Sequence, residues 1–273
     1  EKAKKNDLLP SLLIPVHLTG GSCNMREIKK LSNEYGFRIL EDASHALGSK
    51  YENKYVGSCE FSDISVFSFH PVKIITSGEG GIATTNDELL AEKMDKYRTH
   101  GIEKNSDKFF LKTNKPWIYE QQLLGYNYRL TDIHAALGLS QLKRLDKFVT
   151  QRNEKFNNYK ILLKDIEFIK FLNLEENVYS SYHLAVIMLD EKINKLQEKI
   201  FNFLRESGIG VQIHYIPIHC QPYYSKLGFR RGDYPNAEKY ANSAISIPLF
   251  PELTECEQKF VCEKIKEVIN FSL

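Results

Sequence analysis

The chain contains no Cys-x-x-Cys pair. Its five cysteines, Cys23, Cys59, Cys220, Cys256 and Cys262, are odd in number and scattered. That usage excludes a disulfide framework and offers no zinc-ligand spacing, so no metal is expected. A reducing, cytoplasmic compartment fits it. No apolar run reaches the length of a membrane span. An excess of one charge is lacking too: 37 Lys and Arg against 35 Asp and Glu leave a net charge of +2. Neither nucleic acid nor an anionic membrane is therefore an expected partner. The opening Glu1-Lys2-Ala3-Lys4-Lys5-Asn6-Asp7 has neither an initiator Met nor an apolar signal core. It reads as a chain entered partway through, not as a signal peptide. There is no internal repeat and no low-complexity tract.

What is present is a globular composition: 273 residues, 42% hydrophobic and 26% charged, enough for one large domain or two modest ones. Leu12 to Leu18 is apolar and predicts a buried strand before Gly20-Gly21. Met25 to Tyr35 has helical spacing and Gly36 stops it. Short buried strands follow at Phe37–Leu40, Asp63–Phe69 and Gly81–Thr84, and Asp87 caps a helix to about Tyr97. Strands alternating with helices imply an α/β sheet that is at least partly parallel. Residues 104–126 read as a long loop, and Thr131 to Lys164 as one long helix. Beyond it come a strand at His183–Leu189, a helix at Ile193–Glu206, a strand at Val211–His214, and helices at Pro235–Ala244 and Thr254–Ile269. The domain boundary is placed inside the long helix, giving domains 1–150 and 151–273.

The most informative run is Ser68-Phe69-His70-Pro71-Val72-Lys73-Ile74-Ile75-Thr76-Ser77-Gly78-Glu79-Gly80-Gly81. A lysine there follows a strand and precedes a glycine-rich turn that matches no P-loop or G-x-G-x-x-G pattern. Asp42, in Glu41-Asp42-Ala43-Ser44-His45-Ala46, also follows a strand. Ligands of such sheets bind beyond the carboxyl ends of the strands, so Asp42 and Lys73 are expected to face one site. A lysine amine can bind an aldehyde cofactor as an imine and, when freed, move protons. Pyridoxal phosphate serves as an electron sink when a carboxylate keeps its ring nitrogen protonated, and Asp42 is the candidate. Taken singly, each residue has a plainer reading. Asp42 caps a helix, Lys73 is a solvated charge, His45 is a half-buried histidine bonded to backbone, and Ser68 is a strand serine rather than a phosphate donor.

At these residues the chain resembles the DegT/DnrJ/EryC1/StrS sugar aminotransferases. The matching runs are Glu41 to Gly48, Phe67 to Gly81, Leu124-Gly125-Tyr126-Asn127-Tyr128-Arg129-Leu130-Thr131-Asp132, Val211 to His219, and Ile245-Ser246-Ile247-Pro248-Leu249. Pro116 to Gln122 and Gln221-Pro222-Tyr223-Tyr224 look like the transaminases of the pseudaminic acid pathway. The resemblance implies a pyridoxal-phosphate fold type I architecture: an α/β large domain with a mostly parallel sheet, followed by a smaller α+β C-terminal domain. Family members begin with a further segment that this chain does not contain, so the large domain is expected to be N-terminally truncated. Carried over by position, Lys73 would form the imine, Asp42 would pair with the ring nitrogen, His45 would lie against the cofactor and Ser68 would bind its phosphate. Asn127 would reach the phosphate of a neighbouring subunit, in a homodimer with shared active sites. Arg129, His214, Tyr215, Pro217 and His219 would meet the substrate. The implied reaction moves an amino group from glutamate to C4 of a UDP-linked 4-keto-6-deoxy-N-acetylhexosamine. The alternatives are a different fold type I enzyme, or a truncated, non-catalytic dimerisation or binding remnant.

Overall fold

The computed structural model describes residues 2–113 and 115–271. The chain divides into two compact units, Glu1–His17 with Ser22–Leu145, and Leu18–Gly21 with Asp146–Leu273.

The first unit is built on a four-stranded sheet of β1 (Leu12–Leu13), β2 (Arg38–Asp42), β3 (Ile64–Ser68) and β4 (Gly81–Thr84), in that spatial order. β1, β2 and β3 run parallel, with Leu13 opposite Ile39 and Asp42 opposite Val66. β4 returns antiparallel, with Gly81 opposite Ser68. The strand expected over Leu12–Leu18 pairs regularly only at Leu12–Leu13, and Val16 adds one bridge to Asp42. Pro15 interrupts it because proline has no N–H to give, although its carbonyl accepts the Asp42 N–H at 2.9 Å. Helix α1 (Met25–Tyr35) starts at Asn24, whose side chain accepts the Glu27 N–H, and ends at left-handed Gly36. Helix α2 (Glu88–Arg98) starts at Asp87, which accepts the Leu89 and Leu90 N–H groups.

The loop expected over residues 104–126 is irregular apart from a turn at Ser106–Lys108 and a two-residue pairing of Ile102–Glu103 with Glu120–Gln121. Its Asn114 lies outside the described residues. The single helix expected from Thr131 to Lys164 is two, α3 (Asp132–Leu142) and α4 (Leu145–Leu162). The Arg144 N–H bonds to the Gln141 carbonyl at 2.9 Å, the tighter three-residue spacing that closes a helix.

The second unit holds an antiparallel sheet of β5 (Ile169–Phe171), β6 (Ala185–Leu189) and β7 (Ala244–Ile247), with β6 central. It also carries α5 (Gln197–Glu206), α6 (Pro235–Ala241) and α7 (Glu255–Asn270). Val261, Cys262, Ile265, Val268 and Ile269 form the buried stripe of α7 at helical spacing. They share one core with Tyr159, Ile187, Ile200, Leu204 and Ile245. The predicted Val211–His214 strand is reduced to one bridge, Gln212 to Ser246. The helix expected to reach Ala244 stops at Ala241, because Ala244–Ile247 pairs with β6 instead. Among the described residues no helix is long and apolar enough to cross a membrane.

Arg152 on α4 is only 6% exposed. Its Nη1 donates to the carbonyls of Tyr182 (3.2 Å), His183 (3.2 Å) and Leu249 (3.0 Å), and burial pulls its pKa down to about 10. Arg152→Met should strand these three carbonyls and lower the stability by roughly 2–4 kcal/mol. Urea denaturation of the variant, read as a fall in midpoint, checks this.

Candidate active site

Lys73 stands in a loop that bonds to itself. The Phe69 N–H donates to the Gly80 carbonyl (2.8 Å), the Ser77 N–H and the Thr76 hydroxyl donate to the Phe69 carbonyl (3.1 and 2.9 Å), and the Lys73 N–H donates to the His70 carbonyl (2.9 Å). Ile74 and Ile75, directly after the lysine, are buried, and Ser77 is wholly so. The loop is thus anchored on the C-terminal side of the amine. Gly80 adopts φ 149°, and a Cβ there would fall 2.6 Å from Ser77 Oγ and 2.9 Å from Leu130 Cδ1, so the turn requires glycine.

Lys73 is half-buried. Burial lowers its amine below the ordinary 10.5, and the nearby Asp42 charge opposes that shift. Asp42 closes β2, where its carbonyl accepts the His17 N–H at 3.0 Å. Its Oδ1 accepts the Ser44 N–H at 3.1 Å, a local turn of the kind aspartate favours. Oδ2 has no hydrogen-bond partner among the described residues and is available to a bound group. The strand-end placement expected for Asp42 and Lys73 is therefore found. His45, three residues beyond Asp42, is 7% exposed. Ser68 ends β3 and its Oγ accepts the His70 N–H at 3.4 Å.

Asn127 and Arg129 are exposed in the same unit, and Asn127 bridges to Thr99. Arg129 borders a cavity of about 420 Å³ with Lys96, Thr99, Lys104 and Lys108, whose walls include neither Lys73 nor Asp42. The remaining expected residues are carried by the second unit. His214 Nδ1 lies 2.8 Å from Ser246 Oγ, Tyr215 is exposed, and Pro217 borders a cavity of about 180 Å³ with Ile216 and Arg231. His219 is buried, with Nε2 2.8 Å from Glu238 Oε1. His219, Cys220 and Glu238 each bring one donor atom within 4.8 Å of the others. Glu238 Oε1 also accepts the Gly232 N–H at 2.6 Å, so the carboxylate already serves as a hydrogen-bonded lock on this loop.

One group of residues was not anticipated. Glu41, 5% exposed, and His17, 0% exposed, join at 2.7 Å through Glu41 Oε2 and His17 Nε2. Glu41 Oε1 accepts the hydroxyls of Ser65 (2.8 Å) and Ser62. His17 Nδ1 accepts the Cys23 N–H at 3.1 Å, which leaves the proton on Nε2, facing Glu41. The available signal was strand alternation. With Ile39 inward, Glu41 must point inward too.

The chain matches the model of the DegT/DnrJ/EryC1/StrS aminotransferase family over residues 9–266. It is 37% identical over 256 residues to a UDP-4-amino-4,6-dideoxy-N-acetyl-beta-L-altrosamine transaminase of Campylobacter jejuni, covering 93% of this chain and 65% of that protein. The solved structure of Helicobacter pylori PseC, an aminotransferase involved in the biosynthesis of pseudoaminic acid, superposes with a TM-score of 0.88. It is 32% identical, covering 99% of this chain and 71% of that one. The PMP-form of the putative sugar aminotransferase Spr1654 from Streptococcus pneumoniae gives a TM-score of 0.86 at 28% identity, covering 96% and 70%. The likeness bears out the expected α/β, fold type I architecture. The chain spans 65–67% of the length of the curated relatives it matches first.

Burial alone would raise the Glu41 carboxyl, but the hydrogen bonds from His17, Ser62 and Ser65 outweigh it and hold the group below its ordinary 4.5. A carboxylate depressed in the folded state stabilises the fold above its unfolded pKa, and that contribution fades as the pH falls through the folded one. Glu41→Gln should therefore cost about 1–3 kcal/mol at neutral pH. The difference from the unsubstituted chain should shrink once the pH drops well below 4.5. Denaturation midpoints measured across acid pH check it.

Proposed function

We propose that this chain, which belongs to the DegT/DnrJ/EryC1/StrS aminotransferase family, is a pyridoxal-phosphate enzyme. In this reading it moves an amino group from glutamate to C4 of a UDP-linked 4-keto-6-deoxy-N-acetylhexosamine. The observation that carries the reading is the placement of Lys73, in the loop that follows β3, beside Asp42, which ends the neighbouring parallel strand β2. The substrate class rests on relatives from Campylobacter jejuni and Helicobacter pylori that act as UDP-4-amino-4,6-dideoxy-N-acetyl-beta-L-altrosamine transaminases.

The residues present fit the cofactor. Lys73 would supply the amine that bonds its aldehyde, Asp42 has one carboxylate oxygen without a hydrogen-bond partner among the described residues, buried His45 lies three residues beyond β2, and Ser68 ends β3. Pyridoxal phosphate, when bound, supplies an electron sink for the substrate carbon. Asp42 holds a proton at the ring nitrogen. Lys73 Nζ accepts a proton and returns it, and burial suits it to that work by enlarging its neutral fraction near neutral pH. Asn127 and Arg129 lie exposed on the stretch that precedes α3. In this reading they complete the site of a second copy, and His214, Tyr215, Pro217 and His219 shape the loop that meets the sugar nucleotide. Ile133 (82% exposed), Leu124 (86%) and Tyr128 (72%), on α3 and the stretch before it, are exposed apolar side chains of the kind a dimer interface covers.

Mixing the protein with pyridoxal phosphate should give a yellow species that borohydride fixes onto Lys73, located by peptide mass spectrometry. Lys73→Ala should stay colourless, and Asp42→Ala should lose at least ~100-fold in turnover. A label on another lysine, or colour that survives Lys73→Ala, would sink the assignment. Amino transfer to a UDP-linked 4-keto sugar should exceed that to a GDP-linked one, and the reverse preference would overturn the substrate class.

Light scattering should report twice the 31.6 kDa of the chain. Ile133→Asp should shift the protein toward monomer, because a buried unpaired charge disrupts an apolar interface. A monomeric unsubstituted chain would refute the shared site.

A further inference from the structure

We propose that Glu41, held by His17, Ser62 and Ser65, is a positioning residue that fixes the direction of the Asp42 carboxylate. This rests on the cofactor role given above to Lys73 and Asp42.

Adjacent residues of a strand face opposite sides of the sheet. Whatever fixes the Glu41 side chain therefore fixes the rotation of β2 about its own axis, and with it the side from which Asp42 emerges. Glu41 is buried and fixed by three donors: His17 Nε2 at 2.7 Å, Ser65 Oγ at 2.8 Å, and Ser62 Oγ. The donor on His17 is itself set, because the Cys23 N–H occupies Nδ1. The segment that brings His17 is laced to Asp42 on both sides. The His17 N–H donates to the Asp42 carbonyl (3.0 Å), and the Asp42 N–H donates to the Pro15 carbonyl (2.9 Å). Ala43 continues the restraint, its N–H donating to the Val66 carbonyl at 2.9 Å. Turning Asp42 away from the strand end would thus break charge-assisted bonds to a buried carboxylate, the strong kind. Stability alone is a poor reason for the arrangement, since apolar side chains of similar volume hold an interior at least as well as a buried charge does. What a saturated polar cluster provides is one orientation.

The test uses the whole chain with pyridoxal phosphate as probe. It compares Glu41→Gln and Ser65→Ala with Asp63→Asn. Asp63 steadies the other end of β2, accepting the Arg38 guanidinium at 2.7 Å and the Ile39 N–H at 2.8 Å, and serves as a control for lost stability. Three quantities are read: the dissociation constant, the pH at which the absorbance of the bound cofactor changes, and the urea midpoint. Glu41→Gln should bind on the order of tenfold more weakly, as supporting residues of a ligand-holding group do. Its spectral transition should move to lower pH, because a loosened carboxylate holds the ring proton less firmly. Ser65→Ala, which removes a single donor and carries the test if Glu41→Gln does not fold, should shift both in the same direction by about threefold in affinity. Asp63→Asn should lose stability while keeping the affinity within about twofold. Equal weakening in Asp63→Asn, or an unchanged affinity and transition in the Glu41 and Ser65 variants, would overturn the positioning role. Failure of the unsubstituted chain to bind the probe would overturn the cofactor reading together with it, which separates the two failures.

Discussion

Two carboxylates stand next to each other at Glu41 and Asp42, and the two-residue period of a strand forbids them to share a face. The organisation of the first unit's sheet follows from that constraint. Glu41 shares the inward face with Ile39, and an unpaired charge there would cost several kcal/mol. The sequence meets this with a histidine and two serines drawn from 24, 21 and 24 residues away. Asp42, on the opposite face, is left as a strand-end carboxylate with one oxygen free of protein partners among the described residues. Because β2 and β3 run parallel, their carboxyl ends coincide, and the loop after β3 delivers Lys73 to the same edge.

The state of Lys73 is a balance between two opposing effects. Burial disfavours the ammonium form, and Asp42 favours it, with burial the larger. An exposed lysine would remain protonated and unreactive. A deeply buried pair would be locked as an ion pair. Half-burial leaves the amine between these limits, where it can be a nucleophile and then a proton carrier. Ile74 and Ile75, buried directly after the lysine, anchor the loop that carries the amine.

The sheet, the two capped helices α1 and α2 and the strand-end pair of Asp42 and Lys73 were legible in the sequence because each has a local cause: alternation, an Asn or Asp cap, a glycine stop. Tertiary pairing was not legible. Val211–His214 reads as a strand, yet only Gln212 finds a partner. Ala244 reads as the end of a helix, yet joins β6 because its backbone groups are paired there along four residues. The motif around His219 does not show that its imidazole is buried against Glu238, a partner set by the fold of the intervening loop. Glu41 reads as no more than the neighbour of Asp42. Its importance depends on His17, Ser62 and Ser65, none of which is near it in sequence.

The two units differ in how completely they bury their own apolar surface. In the second, α7 places a full stripe of side chains in the core, and β6 is buried on both faces except at Met188. In the first, α3 is rich in apolar residues and yet buries none of them, leaving Ile133 at 82% and Leu139 at 58% exposure. β4 is likewise exposed along Gly81–Ala83. A helix of that composition is poorly matched to water. Thr131 caps its start, but a cap contributes only about 1 kcal/mol, far less than such a face gains when covered. The stretch that leads into α3 is the one that carries Asn127 and Arg129. The energetic reason for α3 to be covered is therefore also a reason for those two polar side chains to be brought against another surface. In the first unit the exposed apolar helix and the two exposed polar side chains thus belong to one short stretch of chain.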